Sequence, residues 1–367
     1  MKKVIEFFSL VLLVFTVGCS TSSDDAVKEV PKPEPTQALK AAASFPIGNT
    51  VSVSSLTSSS YNYFRTLLNK EFNSITAGND MKMYNFFVAP DTYDWSKGDV
   101  IVAYAKENNL RVLGHTLIWH PSYAIPDWLE NFGGTDIEFE AQVKGYIKAT
   151  VAHFAKATFS DGTPVVASWD VVNEAFTTEA EAGLFRTRMG ADYVAKCFKW
   201  AREADAKVKL FYNDYNLGSQ NSKATQVVNM VNDFKLNSIP IDGIGMQMHI
   251  DYQYPDMSTL TSNLNLIKST GLLIHFSEVD MTVNKDKLLA SLTAERSNAQ
   301  KVRYKQIAAL YKTLPSNQQF GITFWGMRDS DSWLLSFYNN PNEWPLLFDS
   351  NYNHKQAFIG FLEGLTN

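Results

Sequence analysis

The chain has 367 residues, which is enough for two average domains or for one α/β barrel. Its formal net charge of −5 at pH 7 gives no indication of nucleic acid as a partner. Aromatic residues make up 13% of the chain, with eight Trp and sixteen Tyr. That share is compatible with a large core and with a site where flat rings stack on sugar faces.

The first residues predict an export signal that is not part of the fold. Two lysines at 2–3 precede an apolar run at 7–17, which is too short to span a membrane as a mature helix. A small residue followed by Cys19 resembles a bacterial lipobox and predicts a lipoprotein signal peptide over 1–19, with lipidation of Cys19. Thr16 is less apolar than is usual for a lipobox, so cleavage as an ordinary signal peptide stays open.

The stretch 20–44 is rich in Ser, Asp and Pro and predicts a flexible tether. The protein is therefore expected to be exported as an outer-membrane or cell-surface lipoprotein, or otherwise to be periplasmic or secreted. Cys197 is the only cysteine besides Cys19, so no internal disulfide is predicted and stability must come from the core.

From residue 45 onward, β-type runs alternate with amphipathic stretches. The predicted strands are 45–53, 74–76, 112–118, 166–172, 209–212, 243–248, 272–277 and 321–325. The predicted helices are 61–68, 98–108, 138–154, 191–204, 222–235, 257–269 and 294–313. This order predicts a single (β/α)8 TIM barrel over 45–367, with its active site at the C-terminal ends of the strands.

Two glutamates stand where predicted strands give way to loops. Glu174 ends the run WDVVNEA at 169–175, and Glu278 follows the apolar start of IHFSEVD at 274–280. At the mouth of a parallel barrel, strand ends are where chemistry is done. A pair of carboxylates is what glycoside hydrolysis requires, one to protonate the leaving oxygen and one to meet the cationic sugar carbon.

Polar and aromatic side chains follow five other strands, at 76–82, 114–120, 212–216, 245–249 and 324–329. Neutral hydrogen-bonding groups combined with rings are typical of polyol recognition. A metal site is the competing interpretation of the histidines, but His115 and His120 are five residues apart and no Glu stands between them as in a zincin helix. No Gly-rich phosphate loop occurs, so neither a metal nor a cofactor is predicted.

Three stretches resemble the signature motifs of glycoside hydrolase family 10, the retaining endo-β-1,4-xylanases. WDVVNEA at 169–175 resembles the acid/base motif, and GHTLIWH at 114–120 is similar to the signature of the third strand. SEVD at 277–280 is similar to the family's Thr-Glu-Leu-Asp nucleophile motif. The motifs occur in the family's order, and the resemblance extends over 45–367.

The resemblance implies that Glu174 is the general acid/base and Glu278 the nucleophile. It also implies that His249, helped by Asp280, hydrogen-bonds Glu278, and that Asn173 contacts the sugar 2-hydroxyl. Substrate-binding residues implied on the glycone side are Asn79, Lys82, His115, Trp119, Gln247, Trp325 and Trp333, with Asn213 nearer the aglycone side. The implied partner is xylan or a xylo-oligosaccharide. The net charge predicts no nucleic-acid partner, and the N-terminal segment predicts membrane contact only through the lipid anchor. The protein is expected to be a monomer.

The chain departs from the family pattern at the distal glycone side. Gly78 stands where the family usually has a Glu that binds the sugar in the second glycone subsite, and Met83 stands where a Trp is usual. Ser122 and Tyr123 replace a usual Gln, in a loop from His120 to Trp128 that is about two residues longer than in the family. The decoration of the xylan and endo versus exo action therefore stay open.

Two alternatives to a xylanase follow from the same residues. A β-1,4-glucanase or a transglycosylase would use the same catalytic pair. A surface glycan-binding lipoprotein would keep the barrel and lose turnover, but both glutamates are present.

Overall fold

A computed structural model describes residue 35 and residues 37–366. The predicted signal peptide, Cys19 and most of the predicted tether lie outside these residues. Within them, no helix is both long and apolar enough to cross a membrane. Cys197 is buried there and forms no disulfide.

Ten parallel strands form one closed sheet, and an antiparallel pair lies apart from it. The strands are β1 Ile47–Val51, β2 Ser74–Ala77, β3 Phe87–Ala89, β4 Thr92–Tyr93, β5 Arg111–Gly114, β6 Ile118–Trp119, β7 Val166–Asn173, β8 Lys209–Asp214, β9 Gly243–Met246, β10 His249–Asp251, β11 Leu273–Thr282 and β12 Gln319–Phe324. The order around the sheet is β1-β2-β5-β7-β8-β9-β11-β12, and pairing of β12 with β1 and of β9 with β11 closes it. The predicted (β/α)8 barrel is confirmed.

Helices follow the strands and cover the outside of the barrel. They are α1 Leu39–Ala42, α2 Val53–Thr57, α3 Asn62–Glu71, α4 Met83–Phe86, α5 Ser96–Glu107, α6 Asp127–Glu130, α7 Asp136–Phe154, α8 Thr178–Glu181, α9 Leu184–Met189, α10 Tyr193–Ala204, α11 Asn221–Leu236, α12 Met257–Lys268, α13 Ala294–Lys312, α14 Leu334–Phe337 and α15 Gln356–Thr366. The seven predicted amphipathic helices correspond to α3, α5, α7, α10, α11, α12 and α13, with ends shifted by up to three residues.

Two predicted strands differ from the structure in ways that matter for the site. The predicted strand 112–118 is interrupted, because β5 ends at Gly114 and pairing with β7 resumes only at Ile118. The predicted strand 272–277 continues to Thr282, so Glu278 lies inside β11 and not beyond its end. A register shift against β12 between Phe276 and Val279 accommodates this continuation, and β10 then pairs with the distal half of β11.

The segment at 39–42, predicted as tether, packs on the barrel. Leu39 is fully buried, and its N–H donates to Glu71 Oε2 at 3.0 Å. The helix α1 contacts α15, which the periodicity did not predict. In α15 the ring of Phe361 packs against Phe324 of β12, with ring centroids 4.8 Å apart. The helices α1 and α15 therefore cover the same flank of the barrel.

Side chains, not solvent, fill the barrel interior. Phe211 of β8 and Phe320 of β12 meet across it with ring centroids 4.5 Å apart, and Leu113 of β5 joins them. Alternate residues of a strand point to the same side. Asn213 therefore lies on the same face of β8 as Phe211, one step closer to the C-terminal mouth. The apolar layer that contains Phe211 therefore lies directly beneath a polar layer that contains Asn213.

Candidate active site

A cavity of about 1070 Å³ opens at the C-terminal ends of the strands. It brings together twelve of the residues singled out from the sequence: Asn79, Lys82, His115, Trp119, Asn173, Glu174, Gln247, His249, Glu278, Asp280, Trp325 and Trp333. Asn213 is the exception. It is fully buried beneath the carboxylates, so it lies under the site and not on an aglycone wall as predicted.

Glu278 is bound by a histidine that is itself held by a second carboxylate. His249 Nε2 lies 3.2 Å from Glu278 Oε2, and His249 Nδ1 lies 2.8 Å from Asp280 Oδ1. Burial lowers the pKa of His249, but the charge and hydrogen bond of Asp280, followed by those of Glu278, outweigh it and raise the pKa to about 10. The ring is therefore an imidazolium that donates a hydrogen bond to each carboxylate.

The same contacts keep Glu278 ionised. Burial raises the pKa of this carboxyl group, because a charge is poorly solvated inside the barrel. The hydrogen bond from His249, the neighbouring charges of His115 and His249 and the amide of Asn213 outweigh burial, and the net pKa is lowered. A carboxylate held in this state at neutral pH can act as a nucleophile.

Asn213 orients two functional groups from below. Its Nδ2 donates to Glu278 Oε1 at 2.7 Å and to Asn173 Oδ1 at 2.8 Å. Its Oδ1 accepts from the hydroxyl of Ser277 at 2.6 Å, which determines which end of the amide faces Glu278. Gly245 makes room for this arrangement, because a Cβ there would lie 2.1 Å from Asn213 Oδ1.

Glu174 sits in a turn that its neighbours hold. Its φ is 59°, in the left-handed region that non-glycine residues adopt at a cost of ~1–3 kcal/mol. The N–H of Glu174 donates to Asn213 O at 2.9 Å, and the N–H of Ala175 donates to the Tyr212 hydroxyl at 3.0 Å. Both bonds direct the Glu174 side chain into the cavity from the end of β7.

The Glu174 carboxylate is surrounded by neutral donors. Trp119 Nε1 donates to its Oε2 at 2.9 Å, and Gln247 Nε2 donates to its Oε1 at 2.8 Å. Asn173 Nδ2 is 3.2 Å from Oε1. Among the described residues no cation hydrogen-bonds Glu174, whereas an imidazolium binds Glu278. The two carboxylates share one cavity and have different partners.

Lys82 lines the same cavity as the two glutamates and feels the charge of both. Its Nζ donates to Asn79 Oδ1 at 2.9 Å and lies 4.6 Å from the centroid of the Trp119 ring. Burial lowers the pKa of Lys82, and the charges of Glu278 and Glu174 offset part of that shift. The ammonium group therefore contributes positive charge close to both carboxylates.

Ring side chains close the Glu278 side of the cavity. Trp325 meets His115 edge-on, with ring centroids 5.3 Å apart, and Trp333 Nε1 donates to Asp280 Oδ2 at 2.8 Å. His115 Nδ1 is 2.9 Å from Asp170 Oδ2, so the ring orientation is set from β7. Two indoles and an imidazole thus provide flat apolar faces beside the nucleophilic carboxylate.

Several supporting residues had no role assigned from the sequence. Asp170 orients His115, and its only signal was a charged residue inside an apolar β run. Behind Glu174, Asp214 accepts from the Tyr212 hydroxyl at 2.5 Å and pairs with the buried Lys223 at 2.5 Å. Burial raises the pKa of Asp214 to about 7, against the opposing effects of Lys223 and Tyr212. This pair supports the tyrosine that holds the turn at Glu174.

The sequence profile of glycosyl hydrolase family 10 matches residues 36–363. The chain belongs to this family. Together with the fold and the paired carboxylates, the match covers almost the whole described part of the chain. In that part, no group of three or more His, Cys, Asp or Glu side chains is arranged to hold a metal ion.

Relatives of this family 10 chain include proteins named as xylanases. Endo-beta-1,4-xylanase Xyn10C of Cellvibrio japonicus is 38% identical over 353 residues, covering 89% of this chain and 57% of that protein. Endo-1,4-beta-xylanase A of Cellvibrio japonicus is 33% identical over 360 residues, which cover 89% of this chain and 56% of that protein. The chain thus spans little more than half the length of these two relatives. It covers 83% of the beta-1,4-xylanase of Dictyoglomus thermophilum, at 33% identity.

Solved structures of the family superpose on the barrel. A mutant of xylanase 10C from Cellvibrio japonicus in complex with xylopentaose matches with a TM-score of 0.83 at 35% identity, covering 90% of this chain and 69% of that one. Xylanase 10B from Thermotoga petrophila RKU-1 in complex with xylobiose matches with a TM-score of 0.80 at 30% identity, covering 91% and 98%.

Proposed function

We propose that this family 10 chain is an endo-β-1,4-xylanase that cleaves the xylan backbone by retaining double displacement. The observation behind the proposal is the asymmetry of the carboxylate pair. Glu278 is held ionised by an imidazolium, while Glu174 has only neutral hydrogen-bond donors. Retaining hydrolysis needs one permanently ionised nucleophile and one group that gives up and recovers a proton.

In the first step, a Glu278 oxygen attacks the anomeric carbon as the bond to the leaving oxygen breaks. Glu174 transfers its proton to that oxygen, so the aglycone leaves as a neutral alcohol. The product on the protein is a glycosyl ester of Glu278. His249 and Asn213 hydrogen-bond the two oxygens of Glu278 and keep the carboxylate aimed at the sugar carbon.

In the second step, the ionised Glu174 takes a proton from water as the water oxygen attacks the anomeric carbon. The ester bond breaks, and its electron pair returns to the Glu278 carboxylate. Two inversions at one carbon give a product with the β configuration of the substrate. Glu174 is protonated again and ready for the next cycle.

The residues around the pair support a sugar substrate with no ionic group at the cleavage point. Indole faces at Trp325 and Trp333 can stack on pyranose rings, and Lys82, Asn79 and His115 offer hydrogen-bonding groups to hydroxyls. Product profiles on xylan and cellulose separate a xylanase from a β-1,4-glucanase with the same carboxylates.

Two alanine variants test the roles of the glutamates. Glu278→Ala should lack activity on every substrate, because no nucleophile is left. Glu174→Ala should still form the glycosyl ester from an aryl xylobioside with a good leaving group, and azide should accelerate breakdown of that ester. Equal losses for both variants on xylan and on the aryl substrate would contradict the assignment. So would an α product detected by proton NMR before mutarotation.

We further propose that the protein is exported, is anchored through a lipid on Cys19 and acts as a monomer. Two basic residues, a short apolar run and a small residue before Cys19 support the anchor. The full chain should partition with membranes, and Cys19→Ala should be released or stay unprocessed. Wild-type protein found only in the soluble fraction, with another mature N-terminus, would rule the anchor out.

A further inference from the structure

The far half of β11, which carries Asp280, is not held by β12. Pairing with β12 ends at the residue before Asp280, whereas β10 continues along the other edge of β11. On the edge that β12 leaves, the N–H of Met281 donates to Pro345 O at 3.2 Å. The segment from Glu343 to Leu346 (the 343–346 segment) therefore replaces β12 beside Asp280.

A buried lysine holds the 343–346 segment in place. Lys355 Nζ donates to Trp344 O at 2.7 Å and to Leu346 O at 2.8 Å. Its third proton goes to Asp329 Oδ1 at 2.9 Å, and the same oxygen accepts from the N–H of Leu346 at 2.8 Å. An ammonium group has three N–H donors, so every proton of Lys355 is used in these contacts.

Asp329 connects the same lysine to the indole of Trp333. It begins a short 3-10 turn, and its carbonyl accepts from the N–H of residue 332 at 3.2 Å. The next residue, Trp333, donates from Nε1 to Asp280 Oδ2 at 2.8 Å, and the other oxygen of Asp280 binds the imidazolium. Lys355 is thus linked to Asp280 by two routes, one through the 343–346 segment and one through Trp333.

The pair formed by Lys355 and Asp329 is buried and does not line the cavity. Burial raises the pKa of Asp329 to about 6, against the opposing charge of Lys355 and the N–H of Leu346. The carboxylate is therefore mostly ionised at neutral pH. Its Oδ2 has no hydrogen-bond partner among residues 37–366, so Asp329 depends on Lys355. Any effect of this pair on turnover must pass through the residues that it holds.

We propose that Lys355 is a positioning residue for the nucleophile, because it fixes Asp280 at the place where that carboxylate holds the His249 ring. This inference rests on the proposed retaining mechanism and adds to it a residue outside the cavity. Without Lys355, the 343–346 segment and Trp333 can shift, and Asp280 holds the ring less firmly. The hydrogen bond from the ring to the nucleophile then weakens, so formation of the glycosyl ester slows more than sugar binding does.

Lys355→Met tests the proposal, because it removes the three donors and keeps an unbranched side chain. On linear xylohexaose, kcat should fall about five- to tenfold and KM should stay within about twofold. A weaker contact with His249 lets Glu278 protonate at higher pH, so the acidic limb of kcat/KM should also move to higher pH. A residue that only stabilises the fold would leave that limb unchanged.

A double variant separates positioning from the cost of an unpaired buried charge. Lys355→Met combined with Asp329→Asn contains no such charge, so it should fold even if Lys355→Met alone does not. It should regain most of the free energy of unfolding but not kcat, because the donors to Trp344 O and Leu346 O are still missing. Recovery of kcat together with stability overturns the inference.

Arg202→Met is the matched control, since Arg202 also binds one carboxylate and two carbonyls. Its partners are the Asp242 side chain, Asp205 O and Val208 O, at the opposite end of the barrel, where β8 and β9 begin. The variant should lower the free energy of unfolding and leave kcat and the acidic limb as in wild type. Equal losses of kcat in Arg202→Met and Lys355→Met overturn the inference.

Asp280→Asn tests whether the effect passes through Asp280. If it does, adding Lys355→Met to Asp280→Asn should lower kcat on an aryl xylobioside by less than about twofold more. Losses that multiply fully in this double variant overturn the inference. So does a folded Lys355→Met protein with wild-type kcat and an unmoved acidic limb. Failure of wild-type protein to hydrolyse linear xylohexaose contradicts the xylanase function instead.

Discussion

Ser277 is expected to control the nucleophile without touching the substrate. Its hydroxyl, 2.6 Å from Asn213 Oδ1, determines that the amide NH₂ faces Glu278. Ser277→Ala removes that donor, and both residues are buried, so Asn213 Oδ1 loses its partner. If the amide turns over, its oxygen faces the Glu278 carboxylate and the two repel each other.

The size of the effect follows from these contacts. An unsatisfied buried acceptor costs about 1–3 kcal/mol, which should appear as a lower free energy of unfolding. A hydrogen bond to a charged group is worth about 1.5–3 kcal/mol, and losing about 1.4 kcal/mol of it at the nucleophile lowers kcat/KM roughly tenfold. The loss should fall mainly on kcat, since Asn213 lies beneath the sugar site and not on its wall.

Ser277→Thr is the matched variant, because it keeps the hydroxyl and adds one methyl group. Steady-state kinetics on linear xylohexaose and urea unfolding should be measured for both variants. Threonine should retain most of the activity, and alanine should lose about tenfold in kcat/KM. The reasoning fails if alanine stays within twofold of wild type, or if threonine and alanine lose kcat/KM equally.

Two further predictions concern ionised groups. His249→Gln removes the imidazolium that helps to lower the pKa of Glu278, so this carboxylate should protonate at higher pH. The acidic limb of the pH profile of kcat/KM should therefore shift to higher pH. An unchanged acidic limb would contradict the coupling of the two residues. Lys223→Met leaves Asp214 buried without its cation and should lower the free energy of unfolding by about 3–5 kcal/mol. The folded-state pKa of Asp214 is raised to about 7, so the carboxyl group is mostly protonated at about pH 5 and needs a cation little there. It is ionised at about pH 8, so the loss in free energy of unfolding caused by Lys223→Met should be larger at about pH 8 than at about pH 5. Adding Asp214→Asn to Lys223→Met should recover part of the lost free energy of unfolding. If the losses of the two single variants simply add in the double variant, the pairing of Lys223 with Asp214 is refuted.

Local patterns in the sequence were enough to predict the barrel and the two glutamates. Each strand or helix must bury one face, so its apolar residues recur with the period of that element. This period can be read within each short segment of the sequence. Glu174 and Glu278 were found because each stands next to an apolar run in a distinctive motif. The helix α15 was missed, and so was the packing of α1, because short apolar stretches have no clear period. Their burial depends on the flank of the barrel that they cover.

The hydrogen-bond partners of the site could be decided only by the tertiary structure. Asn213 and Glu278 are 65 positions apart, and Trp119 and Glu174 are 55 apart, so no local pattern indicates that they touch. The shift of Asn213 from the predicted cavity wall to the layer beneath the carboxylates follows from closure of the barrel. The sequence marked Gly78 as a departure from the family pattern, but only the tertiary structure shows that it lines the cavity and that a Cβ there would meet no atom closer than 3.9 Å. The pattern of residue types within a short segment indicates its secondary structure. The direction and the neighbours of each side chain depend on how strands distant in the sequence pair with one another.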